Sequence, residues 1–251
     1  MFRKEHLDID YRRHVEYLQS TKRVLKDRLR KRFGTTRGEA LWVRATHIYE
    51  DFVRDLPFTG GRKNLMAHSL YDSIMCFAYW EAMPEDQRES VEEFEETVGL
   101  VFNGDVAHAR RKPEWLTANN APLLRAIAPI GRAVLAWQNN KVRSGAWGKT
   151  WECRMSSVGD STLHVELIGC PIVDFAKQHG YEHLMPAMCN PDHHSRTDFG
   201  MYLVRPQVES RGNALCDYYI MGDHTPIARA SVATPDDKGF LVNSLPEGAQ
   251  L

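Results

Sequence analysis

Residues 145–169, GAWGKTWECRMSSVGDSTLHVELIG, are where the chain changes its hydrophobic period. Trp151, Cys153 and Met155 alternate with Glu152 and Arg154, and Leu163, Val165 and Leu167 alternate with His164 and Glu166. Because successive side chains of a pleated strand point to opposite faces, this stretch predicts two strands, joined as a hairpin turning at 156–161 around Gly159. On the N-terminal side the apolar spacing is three, four or seven, which is helical. The spacing predicts a first helix over 6–33, with Tyr11, Val15, Leu18, Leu25, Leu29 and Phe33 on one face and Gly34 at its end. A second helix is expected to start at Thr36, where Thr36 and Glu39 have capping-box spacing, and to end before Pro57. A third is expected over 65–83 and a fourth on Val91, Phe94, Val98 and Val101; Pro113, Pro122 and Pro129 then divide the next stretch into short helices or one kinked helix.

On the C-terminal side, 171–179 reads as a short helix stopped by Gly180. Residues 201–208 and 216–221 read as a second strand pair across a polar turn containing Gly212. From about Thr225 the sequence is rich in Pro, Asp and Gly and reads as an irregular tail. The expected fold is therefore α+β, an N-terminal helical region followed by a small antiparallel sheet with short helices. Its expected divisions are a helical region over 1–145, a sheet region over 146–224 and a tail over 225–251, within one compact domain.

The 251 residues include 32 Lys plus Arg against 33 Asp plus Glu, a formal charge of −1. That balance provides no overall field toward nucleic acid or anionic lipid, and neither is expected as a partner. The basic run from Lys22 to Arg32 is interleaved with Val24, Leu25 and Leu29 and reads as a solvated helix face. The most apolar stretch, 123–137, is broken by Arg125, Pro129 and Arg132, and no export signal is visible. The five cysteines are scattered, at 76, 153, 170, 189 and 216, and are expected as free thiols in a cytoplasmic protein. Cys76 and Cys153 sit in apolar stripes and read as small buried hydrophobes.

Chemistry concentrates between Cys170 and Asp217, where three cysteines, His193, His194 and several carboxylates fall within fifty residues. A zinc site would draw on Cys189 with His193 or His194, but eighteen and twenty-six residues lie between the successive thiols and there is no Cys-x-x-Cys pair. No metal or other cofactor is expected. Nucleophilic catalysis needs a thiol next to a base, and Cys189 lies four residues before His193. Cys216 and Asp217 are adjacent on a predicted strand, so without a bulge they face opposite ways. The Thr59-to-Asn64 connection, with its paired glycines, is suited either to an anionic ligand group or to an ordinary interhelical turn.

This pattern resembles the family of L-2-amino-thiazoline-4-carboxylic acid hydrolases. The likeness rests on Cys170 before a short helix, Cys189 with Asp192, Arg205 in an apolar strand, and a turn containing Gly212 that leads into Cys216 and Asp217. The connection Gly60-Gly61-Arg62-Lys63-Asn64 is similar to the family's glycine pair after its early helices. One departure is Pro206 and Gln207 where a threonine is expected soon after the strand arginine. The resemblance implies hydrolysis of a non-peptide C–N or C–S bond in a small cyclic amidine, imine or isothiourea. It implies Cys216, or else Cys189, as nucleophile, His193 or His194 as general acid/base, and Asp192 or Asp217 as partner of the amidinium. Arg205, with Arg62 or Asn64, would hold a substrate carboxylate, and Cys170 would join the substrate-contacting set. Alternatives are an isomerase, cyclase or lyase on the same scaffold in a specialised biosynthetic pathway, or a Cys/His metal-binding or redox-sensing module. The expected partner is a small-molecule substrate, with homo-oligomer formation left open.

Overall fold

The computed structural model describes residues 9–10, 13–104, 112–158, 162–194 and 197–249. Five long helices come first: α1 (Gln19–Phe33), α2 (Thr35–Arg54), α3 (Ala67–Ala82), α4 (Val91–Asn103) and α5 (Ala121–Arg143). The sheet comes next, with β1 (Glu152–Val158), β2 (Thr162–Ile168), β3 (Met201–Gln207) and β4 (Cys216–Gly222). Between β2 and β3 lie α6 (Pro171–His179) and α7 (Met185–Cys189). The end of the chain forms α8 (Pro226–Ala230) and a two-residue strand pair, β5 (Thr234–Pro235) and β6 (Leu241–Val242). The α+β reading holds.

All pairs in the main sheet are antiparallel, in the order β1-β2-β4-β3. The register aligns Cys153, Leu167 and Cys216 in one row and Met155, Val165 and Tyr218 in the next. These rows share the inner face, because residues directly opposite across a ladder lie on the same side. One apolar core joins that face to the helices and contains Leu25, Leu70, Phe77, Phe94, Trp151 and Phe175. Helix α3 is its axis: Leu70, Ile74, Met75, Cys76 and Phe77 are all fully buried, which explains why its apolar residues run nearly all round the helix.

Several expectations are corrected. The first helix begins at Gln19; Val15 and Tyr17 are buried in an extended lead-in, and Asp72 on α3 accepts hydrogen bonds from the Leu18 N–H (2.8 Å) and the Thr21 hydroxyl (2.9 Å). Part of the expected 6–18 segment, including Tyr11, and the turn at Gly159 lie outside the described residues. Helix α2 has no side-chain cap at Thr36, because Glu39 is drawn away to Arg30 and Lys26 on α1. The capping box belongs to Ser90 and Glu93 at the start of α4. Residues 121–143 form one helix, with Pro122 in its first turn, where no amide partner is lost, and Pro129 inside. The basic run on α1 is the solvated face expected, with Arg23, Arg30, Lys31 and Arg32 exposed, and it carries ion pairs of Arg28 with Glu89, Arg30 with Glu39 and Arg32 with Glu93. The tail from Thr225 is folded, and it packs against the sheet beside β3. Among the described residues no helix is long and apolar enough to cross a membrane.

Candidate active site

Between the inner face of the sheet and the helices is a cavity of about 290 Å³. Its sheet side is made by Val165, Leu167, Leu203, Cys216, Tyr218 and Ile220, which alternation places on one face. Ser69 and Ser73 of α3, with Met185 and Met188 of α7, line it from the helical side.

Three thiols reach this space from three different elements. Cys170 precedes Pro171 and occupies the N-cap of α6. Cys189 is the last residue of α7, and its Sγ lies 3.4 Å from the Ser210 hydroxyl. Cys216 opens β4, and its Sγ accepts the Glu209 N–H at 3.3 Å. Glu209 links two of these positions, since its carboxylate accepts the N–H groups of Gly169 (3.0 Å) and Cys170 (3.1 Å). Burial pushes all three thiols above their ordinary range: Cys189 up to about 12, Cys170 further upward, and Cys216 upward against the opposing effects of the Glu209 N–H and Arg205. Raised in this way, all three are thiols, not thiolates, at neutral pH.

The carboxylate of the site is Asp192, carried on the one-turn 3₁₀ helix Asn190–His194. Its Oδ2 accepts from the Tyr218 hydroxyl (2.9 Å) and from Arg205 Nη1 (3.1 Å), while 44% of its side-chain surface stays accessible. Burial raises its pKa and the two donors oppose the rise.

Arg205 is fully buried. Nη1 also donates to the Cys189 carbonyl at 2.8 Å, Nη2 to the Leu241 carbonyl at 3.1 Å, and the backbone N–H to Asn243 at 2.7 Å. The β3–β4 register shifts between Val204 and Gln207, so Arg205 and Pro206 share the space opposite Tyr218. Proline has no ladder donor, and a bulge at that point accommodates it. Arg205 lies beneath Tyr218, 6.0 Å from the ring, and is not among the side chains that line the cavity. It donates to Asp192 and, through the Leu241 carbonyl and Asn243, ties β3 to the folded tail.

Other expected members of the site lie elsewhere. Asp217 is on the outer face of the sheet, 2.6 Å from His164, as strand alternation requires. His193 points at the Leu241 carbonyl, 2.9 Å away, and His194 is exposed; neither lines the cavity. The short 3₁₀ turn directs Asp192 inward and the two imidazoles toward the tail or solvent. Asn64 is buried with its amide on the Thr59 carbonyl and its oxygen on the Met66 N–H, closing the turn into α3. Arg62 borders a different hollow, with Gln19 and His68. Of the glycines before it, Gly60 serves packing: it has φ 100°, and a Cβ there would lie 2.5 Å from the Trp147 ring. Tyr218 and Ser210 are site residues that the sequence reading missed. The signal for Tyr218 was present, two positions after Cys216 and so on the same strand face.

A family model for L-2-amino-thiazoline-4-carboxylic acid hydrolase matches residues 73–220. The chain belongs to this hydrolase family. The matched segment runs from α3 into β4 and includes Cys170, Cys189, Asp192, Arg205, Cys216 and Tyr218. The folded tail, Arg62 and Asn64 lie outside it. No curated protein and no solved structure matches the chain. Among the described residues, no group of three or more His, Cys, Asp or Glu side chains is placed to hold a metal ion.

Around this hydrolase-family site, His193 makes folding pH-dependent in a defined direction. Burial, helped by Arg205, pushes its pKa down to about 4 from an ordinary value of 6.5. Between those values the unfolded chain takes up a proton that the folded chain does not, so this residue weakens folding as pH falls from 6.5 toward 4. Asp72, Glu89 and Asp192, all raised by burial, act in the opposite sense, weakening folding as pH rises through the ordinary carboxylate range. Comparison with His193→Asn separates the two. The variant is expected to gain about 2 kcal/mol relative to the parent between pH 7 and pH 5, measured by urea unfolding. Parallel pH curves would show that the imidazole is not held neutral.

Proposed function

We propose that the chain is a hydrolase that opens a C–N or C–S bond in a small cyclic amidine, imine or isothiourea, with Cys216 as nucleophile and Asp192 as proton carrier. What supports this most is the convergence of two thiols, Cys216 and Cys189, with a carboxylate on one cavity in a chain of this family. At about 290 Å³ the cavity is at the lower edge of the roughly 300–1,000 Å³ of ligand pockets, which suits a small molecule.

A protonated amidine entering the cavity pairs with Asp192, and its positive charge lowers the cost of ionising a nearby thiol. The Cys216 proton passes to Asp192 as sulfur forms a bond to the amidine carbon, and the electron pair of the C=N bond moves onto nitrogen. The second heteroatom on that carbon then leaves with its bonding pair and takes the proton from Asp192. This opens the ring and leaves a thioimidate on Cys216. Water adds to the thioimidate carbon, giving a proton to Asp192. The carbon–sulfur bond breaks, the thiol regains that proton, and an amide-type product departs. Tyr218 and Arg205 act through Asp192 as positioning residues, and Cys189 is held by Ser210 beside the reacting carbon.

The test is turnover by the purified chain of a panel of cyclic amidines, imines and isothioureas, followed by mass spectrometry of the product. A gain of one water with ring opening, lost in Asp192→Asn, is expected. Failure to open any member of the panel overturns the reading.

A further inference from the structure

The outer face of the sheet, turned away from the cavity, carries a second chemical cluster. Alternation puts Arg154 and Ser156 of β1, His164 and Glu166 of β2, and Asp217 and Tyr219 of β4 on that face. The register sets Ser156 across from His164, and His164 across from Tyr219. The imidazole is held at both nitrogens and on one ring face. Its Nε2 lies 2.6 Å from Asp217 Oδ1 and its Nδ1 lies 3.5 Å from Ser156 Oγ. The ring stacks on Tyr219, with centroids 4.5 Å apart and planes 11° from parallel. The folded tail packs on the neighbouring part of this face, at Val204 and Met221, whereas Ser156 is exposed and within reach of a small molecule.

An ionised carboxylate can only accept, so Asp217 fixes the proton of the neutral imidazole on Nε2. That leaves the Nδ1 lone pair facing the Ser156 hydroxyl. A hydroxyl, an imidazole to take its proton and a carboxylate to set the tautomer are the three parts of an activated serine. A separation of 3.5 Å is long for such a pair, as these pairs often are before substrate binds. Arg154, two residues before Ser156 and 3.7 Å from Glu166, supplies a positive charge on the same face for a developing oxyanion. We propose that Ser156, His164 and Asp217 form a second nucleophilic site, which transfers the acyl group of a small activated ester to water. His164 Nδ1 takes the hydroxyl proton as Ser156 Oγ bonds to the acyl carbon, and the alcohol leaves with its bonding pair and that proton. Water then adds to the acyl carbon and gives a proton to Nδ1. The bond from carbon to Oγ breaks, the acid departs, and Ser156 Oγ recovers the proton. No group of the cavity takes part, so this site is independent of the hydrolase reading above.

The test is labelling of the purified chain with an alkyl fluorophosphonate, in which Ser156 Oγ displaces fluoride from phosphorus. Peptide mass spectrometry follows, with fragmentation that distinguishes Ser156 from Ser157. The label is expected on Ser156, absent in Ser156→Ala, and formed at least tenfold more slowly in His164→Gln and in Asp217→Asn. Acid quench during cleavage of p-nitrophenyl acetate is expected to show an acetyl group at the same position. An unlabelled Ser156, or labelling as fast in both variants as in the parent, overturns the proposal. Should the variants fold poorly, the parent chain decides alone: Ser157 bonds to Arg132 at 3.3 Å, and a label shared equally between the two serines overturns the proposal as well.

Discussion

Cys216→Ser is expected to lower kcat/KM on a cyclic amidine by about 10³-fold or more, with Cys189→Ser losing much less. A serine hydroxyl in the same place has a far higher pKa than a thiol, and removal of a nucleophile within a cooperating set typically costs several powers of ten. The difference between the cysteines comes from their surroundings. Cys216 Sγ accepts the Glu209 N–H, a backbone donor that supports developing negative charge on sulfur, whereas burial pushes Cys189 up to about 12 even though Arg205 and the Ser210 hydroxyl oppose the rise. Cys216 is buried and Cys189 half-buried, and Ser in place of either Cys is close to isosteric; circular dichroism checks that the fold survives. Equal activity in both variants and the parent contradicts the assignment. A selective loss in Cys189→Ser moves the nucleophile to that residue.

The second large effect is on stability. Arg205→Leu is expected to cost about 3–5 kcal/mol, because it leaves Asp192 without its cation, the Cys189 carbonyl without its donor and the Leu241 carbonyl with His193 alone. The lower part of that range is favoured by the 44% of the Asp192 side chain that remains accessible. Such a loss is a large share of the roughly 5–15 kcal/mol that usually holds a domain folded. Arg205→Lys is expected to recover only part, since one ammonium cannot donate to three separated acceptors as the planar guanidinium does. Adding Asp192→Leu to Arg205→Leu is expected to cost less than the sum of the single changes, because the stranded charge is removed. The check is the midpoint of urea unfolding at unchanged slope. A loss below about 1 kcal/mol for Arg205→Leu shows that the arginine does not brace the site.

The change of period after Gly145 made the sheet legible, because strands with one buried face must alternate and β1 and β2 do. The same alternation separated Cys216 from Asp217, and in the structure they occupy opposite faces. The helix starts were less legible. Val15 and Tyr17 suit an extended segment as well as a helix, and the choice was made by Asp72, more than fifty residues away. Glu39 has capping-box spacing from Thr36 but is taken by the neighbouring helix, a tertiary contact with no local trace. Arg205 and His193 illustrate the limit for sites: both are directed by the Leu241 carbonyl, in a tail whose Pro, Asp and Gly content gave no sign of folding back on β3. Three thiols, several carboxylates and two imidazoles were visible as a cluster in sequence. Only the thiols and Asp192 share a cavity, because the 3₁₀ turn carrying the histidines points them away.

Peptide-level mass spectrometry on the chain acid-quenched during turnover of a cyclic amidine addresses covalent catalysis at its source. The expected result is a substrate-derived mass on the peptide containing Cys216, absent in Cys216→Ser. Rapid turnover with every cysteine unmodified at all quench times would contradict it.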